Sequence, residues 1–343
     1  MDARNASFFL AAWAAVTLTR PLAAAEEKGR PLTESETRAG QFVLKNPRLT
    51  ATLMVPDQPS SAYAGPRYES GGIVMQVALD GRHTFLGKEG RGERLGGFGL
   101  IEEMGMHKAI GYEDAKPGEP FLRLGVGLVA RGARPDFFFF EAFPFVERFR
   151  WDVAVAERSA AFVQVGKPFR GTAYRYEKRV VLDPEQPALR FEHALANTGE
   201  KPIETDQYCH NYFRFDDAPP GPDYVIEMEF PLEPQGKVNP PMVAEGKTVT
   251  FGELLKGAAY GRFNGQPPTA SGHRFRAFHK ANGLEVIVGG DFPIAFAACY
   301  ADTFAVSPEA FCAIRVKPGQ TFRWTRTYAF RAAPPRTEPP AKQ

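Results

Sequence analysis

Leu189-Arg190-Phe191-Glu192-His193-Ala194-Leu195-Ala196-Asn197-Thr198-Gly199-Glu200, followed after seven residues by Tyr208-Cys209-His210-Asn211-Tyr212-Phe213, decides how this chain folds. In the first run Leu189, Phe191, His193 and Leu195 alternate with Arg190 and Glu192, the two-residue period of a strand with one apolar face. Asn197-Thr198-Gly199-Glu200 is turn chemistry and reads as a hairpin that reverses the chain into the second run. There, Tyr208, His210 and Tyr212 share one face, and Cys209, Asn211 and Phe213 share the other. A proton-transfer group framed by aromatic walls suits a sugar. The competing reading is ordinary sheet packing around a hydrogen-bonded, half-buried histidine, with His193 a core histidine on its own apolar face.

Similar runs extend outward on both sides. Gln41–Lys45, Leu49–Val55 and Ile73–Leu79 read as strands, as do residues 121–129, Trp151–Ala156 and Tyr174–Leu182. Beyond Asp216 come Tyr224–Phe230, His273–His279, Leu284–Val288, Ile294–Tyr300, Phe311–Val316 and Phe322–Phe330, the last with Phe322, Trp324, Arg326, Tyr328 and Phe330 on one face. Thr250–Ala259 is the one modest helix expected. Residues 88–99, rich in glycine and charge, read as a long loop, and Phe137–Phe140 is a dense aromatic run. Many short strands with turn signals between them and hardly any helix predict an all-β fold, a large antiparallel sandwich. No breakpoint divides it, so residues 41–330 are expected to form a single domain.

Composition agrees: 33 glycines and 30 prolines in 343 residues leave little room for long helices, and 29 phenylalanines supply a core. The 42 basic and 40 acidic residues are interspersed, which points to neither nucleic acid nor an anionic membrane surface as a partner. Residues 1–25 read as a signal peptide: Arg4, an apolar stretch through Leu18, then Ala23-Ala24-Ala25. The apolar run is short for a membrane span, so the mature protein is expected to be exported, periplasmic or secreted, without a span. Removing Asp2, Arg4 and Arg20 lowers the formal charge from +2 to +1. Residues 26–40 read as a linker and 331–343 as a proline-rich, disordered tail. Cys209, Cys299 and Cys312 read as buried thiols; Cys299 and Cys312 could also pair across neighbouring strands.

Of the usual chemical signatures, few are present. The six histidines show no metal-ligand spacing, and there is no nucleophile elbow, phosphate loop or dinucleotide fingerprint. General acid/base chemistry on a neutral, hydroxylated ligand remains.

Leu195–Ile203 with His210-Asn211-Tyr212-Phe213, then Ser307-Pro308-Glu309-Ala310-Phe311, Val316-Lys317-Pro318-Gly319-Gln320, Trp324 and Tyr328-Ala329-Phe330, resemble the central and C-terminal signatures of the aldose 1-epimerase (galactose mutarotase-like) family. Arg67-Tyr68-Glu69-Ser70-Gly71-Gly72-Ile73 resembles its early strand. The matches stand in the family's order and span about residues 40–330. The resemblance implies a β-supersandwich with a concave, sugar-holding face and interconversion of anomers without a cofactor or metal. It implies His210 as general acid at the ring oxygen and Glu309 as the base that takes the anomeric proton. His107 is the best-placed second histidine, in a context that departs from the family's; Asn211 stands where a proline often follows the catalytic histidine. Arg67, Arg94, Glu103, Tyr208 and Tyr212 are candidate substrate contacts, with solvated loop charges the alternative for Glu102 and Glu103 and a turn carboxylate for Glu309. Two other readings stay open: a carbohydrate-binding protein without catalysis, and a polysaccharide-processing enzyme such as a lyase on the same sandwich. The acid/base reading expects His210 and Glu309 to reach one pocket from opposite sides, separated by about the width of a pyranose ring.

Overall fold

The computed structural model describes residues 29–87 and 95–333. Residues 1–25, read as a signal peptide, most of the expected 88–99 loop with Arg94, and residues 334–343 lie outside the described residues. Two ten-stranded antiparallel sheets pack their apolar faces into one core, and Pro120–Arg123, Gly127–Ala130 and Phe145–Arg148 form a third, small sheet. The expected alternation appears in three dimensions. Thr321–Ala332 turns Trp324, Arg326, Tyr328 and Phe330 inward, and Thr172–Leu182 does the same with every second residue from Tyr174. In the middle of the first sheet Ile203–Asn211 lies between Leu100–Met104 and Val306–Val316. Leu100–Met104 is buried along its whole length and Val306–Val316 along its first seven residues, because one face packs on the core and the other joins smaller apolar clusters through Ile101 and Phe311.

The turn at Asn197–Glu200 does not make a hairpin. Ala188–Asn197 pairs with Thr172–Leu182 and Thr321–Ala332, whereas Ile203–Asn211 belongs to the opposite sheet, so the turn carries the chain between layers. Asn197 builds the corner: its Oδ1 accepts from the Gly199 N–H at 3.0 Å, and its Nδ2 donates to the carbonyls of Lys201 and Val316 at 2.8 and 2.9 Å. A Cβ on Gly199 would lie 2.4 Å from the Ala173 nitrogen. Turn residues encode reversal; which strands then pair depends on distant partners.

Other expectations are corrected. Residues 250–259 hold no helix: Thr248–Phe251, a β-branched alternating run, pairs with Met242–Glu245, and the chain turns before Ala259–Asn264. The one α-helix among the described residues, Glu34–Ala39, lies in the stretch read as a linker, closed by a Thr33/Glu36 capping box and by Gly40 at φ +68°. Residues 121–129 are two strands joined at Gly125, whose φ of +76° suits the turn. Glu309 sits within the Val306–Val316 strand instead of a turn, and Thr321–Ala332 takes in the first two residues of the expected tail. All three cysteines are free and buried, with no bridge between Cys299 and Cys312.

Candidate active site

His210 and Glu309 stand on neighbouring strands. The antiparallel register pairs Gln207 with Cys312, and three residues further along it sets His210 opposite Glu309 on the sheet's outer face. His210 Nε2 lies 3.4 Å from Glu309 Oε1, both side chains about 5% exposed or less. They meet in one cavity, but side by side and in contact on its floor, not from opposite sides a pyranose width apart as expected. Ser307 Oγ, 3.2 Å from Glu309 Oε1, and the stacked Tyr212 ring, 4.0 Å from the His210 ring at 6°, fix the pair from either side. The opposite face of the strand is core, as expected: Cys209 and Phe213 join the apolar cluster, and Asn211 Oδ1 accepts from Tyr328 at 2.9 Å.

Burial decides where the proton resides. It pushes the Glu309 carboxyl up to about 8, more strongly than Arg67 and the Ser307 hydroxyl pull it down. Burial, reinforced by Arg67, holds His210 well below the ordinary histidine range. At neutral pH the site therefore has a protonated Glu309 beside a neutral His210, the reverse of the loading that the resemblance implies. His210 Nδ1 is buried without a hydrogen-bond partner.

Arg67 lines the same cavity, and a buried set of groups holds it there. Its Nε reaches Glu103 Oε2 at 2.9 Å, its Nη2 donates to Tyr208 Oη at 3.0 Å, and Tyr208 donates to Glu103 at 2.7 Å. Arg123 closes the set on Glu103 Oε1 at 2.8 Å. Glu103 is thus a fully buried strand residue beneath the cavity, not a loop charge, and it positions Arg67 and Tyr208 without lining the cavity itself. Its neighbour Glu102 points the other way, into the sandwich, where it meets Lys178 at 2.7 Å, Arg326 at 2.8 Å and His193 at 3.3 Å. His193 is a core histidine, stacked on Trp324 with ring centroids 4.5 Å apart.

The cavity measures about 540 Å³. Of the expected contacts, Arg67, Tyr208 and Tyr212 line it with His210 and Glu309. His107 does not: it is exposed, hydrogen-bonded to Asp206 and edge-on to Phe296 and Phe311, while its neighbour Met106 faces the cavity. Sequence reasoning missed Tyr260, Tyr300, Asp302 and Phe304, which complete the wall. The alternation of Ile294–Ala301 put Tyr300 on one of two faces without saying which held a site. Phe138–Phe140, noticed only as an aromatic run, also line the cavity. Among the described residues no three His, Cys, Asp or Glu side chains converge as a metal site.

Solved structures share this architecture. The chain is similar to a galactose mutarotase-like protein from Clostridium acetobutylicum, with 10% identity and a TM-score of 0.54 over 85% of this chain and 95% of that one. The fold is the galactose mutarotase-like sandwich. A galactose 1-epimerase from Lactobacillus acidophilus shares it at 12% identity and TM-score 0.52, over 85% of this chain and 94% of that one. An aldose epimerase homologue from C. elegans does so at 11% and 0.52, over 86% and 99%. No family model and no curated protein matches the sequence. At such identities the likeness establishes the mutarotase-like fold, and function has to be argued from the site.

Proposed function

We propose that this protein is an exported aldose 1-epimerase-like isomerase that interconverts the anomers of a free aldose. The observation that carries the reading is His210 Nε2 lying 3.4 Å from Glu309 Oε1 on the floor of an aromatic-walled cavity. The ring oxygen and the anomeric hydroxyl of a pyranose are bonded to one carbon, so an acid and a base side by side can address both. The protonated Glu309 gives its proton to the ring oxygen while neutral His210 takes the proton of the anomeric hydroxyl. The C1 to ring-oxygen bond breaks as the C1 carbonyl forms. After rotation about C1–C2 the freed hydroxyl adds to the other carbonyl face, returning its proton to Glu309 as His210 reprotonates the new anomeric oxygen. Atoms and electrons balance, so two proton-transfer groups suffice. The same exchange with the roles swapped is the assignment the family resemblance implies; the burial of Glu309 favours the carboxyl as donor. Tyr208, Tyr212 and the Arg67 guanidinium line the same cavity, while residues 1–25 support export.

Anomer exchange followed by NMR on a panel of free sugars tests the proposal. Acceleration by wild type is expected, falling by about 10²- to 10⁴-fold in Glu309→Gln and in His210→Asn with sugar binding retained. No acceleration of any sugar would sink the enzymatic reading and leave a carbohydrate-binding protein in its place.

A further inference from the structure

The cavity is larger and more apolar than one pyranose requires. At about 540 Å³ it falls in the range of about 300–1,000 Å³ that encloses drug-sized ligands. The acid/base pair occupies only its floor. Phe138, Phe139 and Phe140 line it as well, and Phe138 and Phe140 remain 40% and 49% exposed. Three consecutive phenylalanines left partly in water beside a candidate site mark a binding surface.

Their presentation is built in. The flanking Phe137 and Phe143 stack 5.8 Å apart and pack with Tyr112 and Phe121 in a separate apolar cluster. Arg131 pins the start of the loop through the carbonyls of Arg134 and Pro135 at 3.1 and 2.9 Å. From the other side, the Arg67 guanidinium lies 4.9 Å from the Phe139 ring centre and 5.3 Å from that of Phe140. One segment therefore has an anchored base and outward rings, held next to the very arginine that lines the cavity.

We propose that Phe138–Phe140 form a second sugar subsite, and that the substrate class is the reducing end of an oligosaccharide, its terminal aldose over His210 and Glu309 and the preceding pyranose on the phenylalanine platform. A pyranose presents C–H faces that stack on aromatic rings, and its rim of hydroxyls can stay in water at an open mouth. The inference deepens the isomerase reading and rests on it for the chemistry.

The test compares a reducing monosaccharide with its di- and trisaccharides, in wild type and in Phe138→Ala/Phe140→Ala. Both side chains are exposed, so truncation leaves the core intact. Wild-type kcat/KM for anomer exchange is expected to rise roughly tenfold from monosaccharide to disaccharide, and the double variant to lose most of that ratio. Equal kcat/KM along the wild-type series, or an unchanged ratio in the variant, would overturn the subsite and leave the isomerase reading standing. Calorimetric affinities on the same panel separate the two ideas. If no sugar is turned over, affinity that rises with chain length and falls in the variant supports the subsite without the isomerase, and affinity independent of length removes it.

Discussion

Glu309 and His210 face each other across two neighbouring strands, Oε1 and Nε2 3.4 Å apart, in a site that strips both of water. Because burial disfavours charge on each, the stable loading is one proton on the carboxyl and a neutral ring. That is a complete acid/base pair. It also sets which pH limits the site has.

Exchange should be fastest while the pair holds a single proton. Above pH 8 Glu309 ionises and the donor is lost, so kcat/KM falls on the alkaline side with a midpoint near 8. On the acid side His210 stays neutral until well below the ordinary histidine range, so activity holds through pH 6. A pH–rate profile checks both limbs. A drop centred between pH 6 and 7 would contradict the depressed histidine.

The same burial makes Glu309 a cost to stability in alkali. Its folded pKa of about 8 lies above the ordinary 4.5, so its contribution is fully present below pH 4.5 and is lost as pH rises through 8. Glu309→Gln cannot ionise. The variant should match wild type in thermal stability near pH 4 and exceed it near pH 9, by at most about 5 kcal/mol. Thermal melts at the two pH values decide it; equal differences at both would show that the carboxyl is not desolvated as described. A more stable, inactive variant is the usual signature of a site that sacrifices stability for function.

These electrostatics were only partly legible in the sequence. Strand alternation placed Tyr208, His210 and Tyr212 on one face correctly, because a half-buried strand must separate its side chains by period two. The same rule could not say that Asn197–Glu200 joins different sheets, since local turn chemistry is blind to the pairing of Ile203–Asn211 with Leu100–Met104. Tyr300, Asp302 and Phe138–Phe140 reach the cavity through long-range packing and carry no local mark of it. His107 failed for a similar reason: Asp206 holds it at the surface.

Arg67 tunes both members of the pair. It lowers the affinity for a proton at Glu309 and at His210, so removing its charge should raise both. Arg67→Met is expected to move the acid and alkaline limbs of the pH–rate profile together toward higher pH. It also breaks the buried pair with Glu103, a loss of about 3–5 kcal/mol, softened because Arg123 still holds that carboxylate. Profiles measured on protein verified as folded separate the two effects. Limbs that stay in place, or move in opposite directions, would rule out Arg67 as the common influence.

Lys178 offers the sharpest test of the sandwich interior. Its Nζ lies 2.7 Å from Glu69 and 2.7 Å from Glu102, and 2.9 Å from the Gly71 carbonyl, while Gly72 leaves room for its stem: a Cβ there would come within 2.6 Å of Lys178 Cδ. Lys178→Met therefore leaves Glu69 without its cation and Glu102 with one partner fewer, and should cost about 3–5 kcal/mol in urea unfolding at neutral pH. Adding Glu69→Gln removes one stranded charge, and Glu102 keeps Arg326 and His193. The double variant should be more stable than Lys178→Met alone, a coupling that two independent contacts would not give. Simple additivity would mean that the lysine acts through packing alone. Because Glu102 and Glu103 are consecutive in one strand, the disturbance should also reach the cavity through Glu103 and Arg67, lowering anomer exchange in the single variant and restoring part of it in the double.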